Sequence, residues 1–171
     1  MNRSAVWIAL CAAPVLLFLA NASAQPTPED RPPASELADM RVHPPEEIAW
    51  RKGPASLPPG AEMAVLEGDP SQAGPFVFRV KVPDGYTIPP HTHPRAERVT
   101  VISGTFHIAM GEKVDKGAGQ AMPAGSFGYW PTGMKHFAWA TGETIVQFHG
   151  VGPWVIQYVN PADDPRNTKK S

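Results

Sequence analysis

From residue 76 to 82 bulky apolar side chains recur at every second position: Phe76, Phe78, Val80 and Val82 share one parity, and Val77, Arg79 and Lys81 the other. A period of two separates the two faces of an extended chain, so the run predicts a half-buried strand. The pattern returns at Val99, Val101 and Ser103, and again where Phe106, Ile108 and Met110 alternate with Thr105, His107 and Ala109. Shorter β-rich runs are expected over 61–67, 137–140, 144–149 and 154–159, the last two separated by Gly150-Val151-Gly152-Pro153. Turn formers punctuate them: LPPG before Ala61, Gly68-Asp69-Pro70, Pro83-Asp84-Gly85, a Pro-Pro corner at Pro89-Pro90, and a polar loop over 111–119 whose Lys113, Asp115 and Lys116 read as solvated charges. No long helical period and no internal repeat interrupt this. The pattern predicts one all-β domain of many short strands.

The two ends of the chain fall outside that pattern. Arg3 precedes an almost unbroken apolar run over 5–20, and Ala22-Ser23-Ala24 supplies the small-x-small pattern of a cleavage site. Residues 1–24 therefore read as a secretory signal cut after Ala24, which places the mature chain in the periplasm or outside the cell, with no stable membrane insertion after cleavage. The run is short for a membrane span and Pro14 interrupts it. Residues 25–45, rich in Pro and charge, read as a flexible N-terminal segment in which His43 is solvated. The domain then occupies 46–159, and 160–171 is a polar tail expected to be disordered or to lie along the surface.

Composition narrows the partners. The 171 residues carry a formal net charge of −1, so the basic footprint that a phosphate backbone needs is missing and nucleic acid is not expected. The single cysteine, Cys11, lies inside the signal, which leaves the mature chain without disulfide, thiol nucleophile or thiolate-bound zinc. No Ser with a His and an acid in motif context suggests a hydrolase. Aromatics gather at Phe127, Tyr129, Trp130, Phe137, Trp139, Trp154 and Tyr158, and most are expected in the core.

The chemistry is concentrated between Gly85 and Gly104. His91 and His93 sit two residues apart on a predicted strand, so both imidazoles leave on the same side. Glu97 keeps that parity beyond Pro94; if the chain turns there, its carboxylate returns to the same point from a neighbouring strand. Two imidazoles and a carboxylate suit a divalent transition metal. Downstream, Gly125, Pro131 and Gly133 frame a turn before His136, a candidate fourth ligand.

These residues resemble the cupin motifs. Gly85, His91, His93, Glu97 and Gly104 match G-(x)5-H-x-H-(x)3-E-(x)6-G, and Gly125, Pro131, Gly133 and His136 match G-(x)5-P-x-G-(x)2-H-(x)3-N, which the chain leaves only at Ala140, where the motif has Asn. The resemblance covers roughly residues 61–158 and implies an antiparallel double-sheet jelly-roll barrel holding one divalent metal ion (zinc, copper, iron, manganese or nickel) on His91, His93, Glu97 and His136. His107, on a strand, faces either the interior or solvent and is not expected as a ligand, and His149 is read as a rim residue, the alternative being a proton donor beside the cavity.

Cupins of this ligand set include dioxygenases, oxalate-degrading enzymes, isomerases and decarboxylases, and sugar-binding and regulatory members. A metal-dependent oxidoreductase of dioxygenase type, acting on a small organic molecule, is one expectation, and a periplasmic metal- or ligand-binding or sensing module that does not turn over is the other. No residue beyond the ligand set announces itself as a general base, and a homodimer is left open. Intact mass of protein recovered from the periplasm should give an N terminus at Gln25; a membrane-bound species that keeps residues 1–24 would overturn the signal reading.

Overall fold

The computed structural model describes residues 41–167. The expected signal, the segment 25–40 and residues 168–171 lie outside the described residues. The fold is that of the unit from His43 onward; of the unit before it only Arg41 and Val42 are described, both exposed. No helix among the described residues is long and apolar enough to cross a membrane.

Among the described residues nine strands follow one another: β1 (Arg51–Lys52), β2 (Glu62–Glu67), β3 (Gly74–Val82), β4 (Thr87–Thr92), β5 (Glu97–Met110), β6 (Gln120–Pro123), β7 (Phe127–Trp130), β8 (His136–Gly152) and β9 (Gln157–Tyr158). Every pairing is antiparallel. The two longest strands, β5 and β8, pair with each other from Arg98↔His149 to Met110↔His136, and their register shifts on either side of Ser103. At this corner Gly104 and Gly142 take φ of +74° and +71°, a region that side-chain-bearing residues avoid.

Beyond the corner each long strand joins a second layer. One sheet runs β7, the first half of β5, the second half of β8, β3, β2, β1. The other runs β6, the second half of β5, the first half of β8, β4, β9. Two antiparallel sheets sharing a bent central pair are a jelly roll, as the alternating pattern and the motifs led us to expect.

The predicted parity decides what fills the space between the sheets. Phe76, Phe78, Val80 and Val82 are all buried, and they meet Val99, Val101, Val146 and Phe148 of the same layer and Phe106, Ile108, Ala138 and Ala140 of the facing one. Phe78 and Phe148, opposite each other in the ladder, stack with centroids 5.1 Å apart. Full burial of such side chains contributes roughly 1.5–3 kcal/mol each, which makes this face the main source of stability. Phe137 and Trp139 point the other way and form a second small cluster with Ala109.

The structure departs from the sequence pattern in several places, each with a physical reason. The runs 137–140 and 144–149 are one strand, and it passes through Gly150 to Gly152 without a break. Gly150 lies opposite Phe76, and a Cβ there would sit 3.2 Å from the Phe76 ring, so this glycine makes room for an aromatic and does not end the ladder. Pro89 and Pro90 are inside β4 and not at a corner; the β4–β8 register slips between Ile88 and His91, where two residues without an N–H do least harm. Phe127 and Tyr129 are 60% and 53% exposed, because on β7 the inward parity belongs to Gly128 and Trp130. Over 111–119, Lys113, Asp115 and Lys116 are exposed as expected, and Lys116 also sits above the Trp139 ring. The tail takes one of its two expected courses, along the surface, as far as Asn167 in two capped 3-10 turns, Pro161–Asp163 and Pro165–Asn167.

The two corner glycines offer a test of the bend. A Cβ on Gly104 would lie 2.4 Å from both Glu143 O and Thr144 Oγ1, whereas one on Gly142 would meet nothing within 4 Å. Gly142→Ala should therefore cost only the left-handed backbone penalty of about 1–2 kcal/mol, and Gly104→Ala clearly more. Urea midpoints of the two variants measure this, and equal losses would mean that the close approach at Gly104 does not matter.

Candidate metal centre

His91 lies in β4, His93 one residue past its end, Glu97 opens β5 and His136 opens β8. The sequence placed Glu97 on a strand neighbouring His91. In the structure β4 and β5 are not hydrogen-bonded to each other: β8 runs between them, and His136 is the register partner of His91 on one side and Met110 on the other. Glu97 instead pairs with Trp130 of β7, in the opposite sheet. The cluster is thus built across the sandwich, two imidazoles from one sheet, a carboxylate from the other, and His93 from the connection between β4 and β5.

All four side chains are buried, Glu97 to 6% exposure. The three imidazoles offer ligand nitrogens that lie within 4.8 Å of one another, a group that can hold a metal ion. Backbone carbonyls set their tautomers. His91 Nδ1 is 2.7 Å from Pro89 O, His93 Nδ1 2.8 Å from Val155 O, and His136 Nδ1 2.9 Å from Met134 O. A carbonyl only accepts, so each Nδ1 carries the proton and, in the neutral ring, each Nε2 presents a lone pair.

These lone pairs face the carboxylate. Glu97 Oε2 lies 3.0 Å from His136 Nε2 and 3.5 Å from His93 Nε2, and both Glu97 Oε2 and His93 Nε2 are buried without a well-formed hydrogen bond. Buried polar atoms left in this way are costly, and a cation placed among them satisfies them together. The donor set, imidazole nitrogen and carboxylate oxygen, fits a borderline divalent metal.

The protonation balance follows from the same crowding. Burial pushes His91 down to about 3, with the neighbouring His136 and His93 adding to the effect, so His91 stays neutral. Burial also lowers His93, against the pull of Glu97. For His136 burial works downward too, but the adjacent Glu97 carboxylate outweighs it and holds the ring above its ordinary value. Glu97 itself, although burial alone would raise it, is held below the usual carboxylate range by His136, His93 and His91. A buried carboxylate kept ionised among imidazoles is a site prepared for positive charge.

One side of the cluster is open. A cavity of about 180 Å³ reaches His91, His93 and Glu97 and is walled by Leu57, Phe78, Val80, Ile88, Phe148, Trp154 and Ile156, with Ser56, Ser71 and Arg166 among its polar lining. On the inner side, among Val99, Phe106, Ile108 and Trp130, only about 10 Å³ remains. Among the described residues, the first side leaves a ligand room to approach.

The other singled-out histidines are elsewhere. His107 stacks on Trp139 with centroids 4.8 Å apart and shares a hydrogen bond with Thr141; His149 lies against Phe127; His43 is exposed. Sequence reasoning missed Trp154, whose ring stacks on His93 at 4.1 Å and 12°, and the Val155 carbonyl. No spacing signals either, since both lie about sixty residues from His93. At Ala140, where the motif has Asn, the backbone pairs with the first motif: Gly85 donates to Ala140 O and Ala140 to Tyr86 O.

Comparison with known proteins agrees with the fold and the motifs. Germin-like proteins 9-2 and 5-1 of Oryza sativa subsp. japonica are 34% and 33% identical over 101 and 90 residues, which cover 56% and 52% of this chain. The chain spans less than half of their length, 45% and 40%. Among solved structures, the polyketide cyclase RemF of Streptomyces resistomycificus superposes with a TM-score of 0.57 at 18% identity, covering 74% of this chain and 89% of that one. An acetylacetone dioxygenase of Acinetobacter johnsonii does so with 0.56 at 15% identity, covering 74% and 81%. The family profile described as the ChrR cupin-like domain matches residues 38–155. The chain belongs to the ChrR cupin-like domain family and is a cupin.

Proposed function

We propose that this chain is an exported cupin that holds one divalent metal ion on His91, His93, Glu97 and His136 and oxidises a small organic molecule with dioxygen. The observation that carries the reading is the convergence of three imidazole nitrogens and a buried carboxylate at the floor of an apolar cavity. The bound ion would supply Lewis-acid and redox chemistry. The chain's own part is to fix the donors through the Nδ1 carbonyl contacts, to exclude water with Phe78, Val80, Phe148 and Trp154, and to orient what enters. Solved structures of the same fold include an acetylacetone dioxygenase, which supports the class without naming a substrate.

Size bounds the substrate. An apolar cavity of about 150 Å³ takes a benzene ring, so about 180 Å³ suits a single ring or a short diketone. A three-ring flavonoid exceeds that space and would have to project from its open side.

A second reading, a metal or small-ligand sensor without turnover, draws on another observation. The titratable side chains that line the cavity are His91, His93, Glu97 and Arg166. The first three belong to the cluster and an arginine stays charged, so the described lining residues offer no separate general base.

Two measurements test these readings. Mature protein loaded with Fe²⁺ should consume dioxygen with a catechol or a 1,3-diketone and not with a flavonoid; saturable binding of the same compounds with no uptake would favour the sensor. His93→Ala should lower metal occupancy at limiting metal by at least about ten-fold, while exposed His43→Ala should leave it unchanged. Equal loss in both variants, read by elemental analysis, would rule out the ligand set.

A further inference from the structure

The three imidazoles are not held alike. His91 and His136 each receive their Nδ1 contact from a carbonyl two residues upstream, Pro89 and Met134, on the same stretch of chain. Both also lie in paired strands, opposite each other. Their orientation is local and set once β4 and β8 pair. His93 stands outside any strand, and its contacts come from the far end of the chain, Nδ1 to Val155 O at 2.8 Å and its ring face to Trp154.

The segment that supplies these contacts, residues 153–156, lies between β8 and β9 and pairs with no strand. Something else must hold it. On one side Trp154 N donates to Pro70 O at 2.7 Å. On the other, Arg166 Nη2 donates to Ile156 O at 3.0 Å, one residue from the carbonyl that His93 uses. Arg166 is itself aimed by Asp164, which takes its Nε at 2.7 Å and its Nη2 at 2.7 Å and accepts its backbone N–H at 3.0 Å. A planar guanidinium gripped by a carboxylate is a rigid hydrogen-bond donor.

We propose that Arg166 is a positioning residue for the metal centre: through Ile156 and Val155 it fixes the His93 imidazole toward Glu97 and His136. The polar tail thereby sets how tightly the site binds metal. This rests on the metal-binding reading above. Groups that orient a metal ligand from behind typically change affinity by about 10–100-fold when removed. The effect should fall on His93 alone, because His91 and His136 have their own carbonyls.

The test uses the mature chain, Co²⁺ as the probe, and no substrate, since Arg166 also lines the cavity. Arg166→Gln should weaken Co²⁺ binding about ten-fold and leave the thermal midpoint of the metal-free protein within a few degrees of wild type. In imidazole NMR spectra of the metal-free protein it should shift the His93 Nδ1–H resonance, or broaden it by faster proton exchange, while those of His91 and His136 stay. Asp164→Asn keeps the guanidinium but frees it, and should move the same observables in the same direction, so the idea remains testable if Arg166→Gln folds poorly. Unchanged Co²⁺ affinity and an unchanged His93 resonance in both variants would overturn the proposal, and so would equal shifts at all three histidines. If wild type bound no Co²⁺, the metal reading would fall, whereas the His93 resonance would still decide whether Arg166 holds that ring.

Discussion

A carboxylate buried to 6% exposure among three imidazoles is the constraint around which this structure is arranged. Removing an ionised group from water costs several kcal/mol, and the interior tolerates it only where opposite charge or donors are supplied. Glu97 has no donor aimed at it with good geometry, because the imidazole Nδ1 protons are committed to backbone carbonyls. What remains is a ring of lone pairs and one negative charge. A proton on His136 balances the charge; a divalent cation held by the three imidazoles would balance it too and would engage their lone pairs.

That constraint requires the two sheets to be placed accurately, since Glu97 comes from one and His91 and His136 from the other. The shared pair β5 and β8 does this. Both strands cross the corner at Gly104 and Gly142, so the two layers are one hydrogen-bonded ladder folded over and not two sheets merely in contact. Thr144, fully buried beside the corner, donates its hydroxyl to Gly142 O at 3.1 Å and helps to lock it. The two motifs are tied directly as well, by Gly133 N–H on the His93 carbonyl at 3.0 Å.

The core makes the site directional. Large apolar side chains fill the inner end of the sandwich, and the open space lies on the side lined by Trp154, Ile156 and Arg166. The cluster is reached through an apolar chamber whose walls include Trp154 and Ile156. The same short segment shapes the chamber and steadies His93, so affinity for the ion and shape of the chamber share one structural support.

Much of this was legible in the chain itself. Alternation identified β3 and its inward face, and the spacing of His91, His93 and Glu97 put three donors on one parity, because a period of two is a local property of an extended backbone. The identity of the donors and the presence of a turn before His136 are local in the same sense. Where the reading failed, the partner strand decided: Gly150 continues a strand because Phe76 lies opposite, and Phe127 and Tyr129 face solvent because pairing with β5 turns Gly128 and Trp130 inward. That Glu97 crosses from the other sheet, and that His93 is held by Val155 and Trp154, depend on contacts between residues far apart in sequence. Periodicity reports which side a residue faces; only the folded chain decides what stands there to meet it.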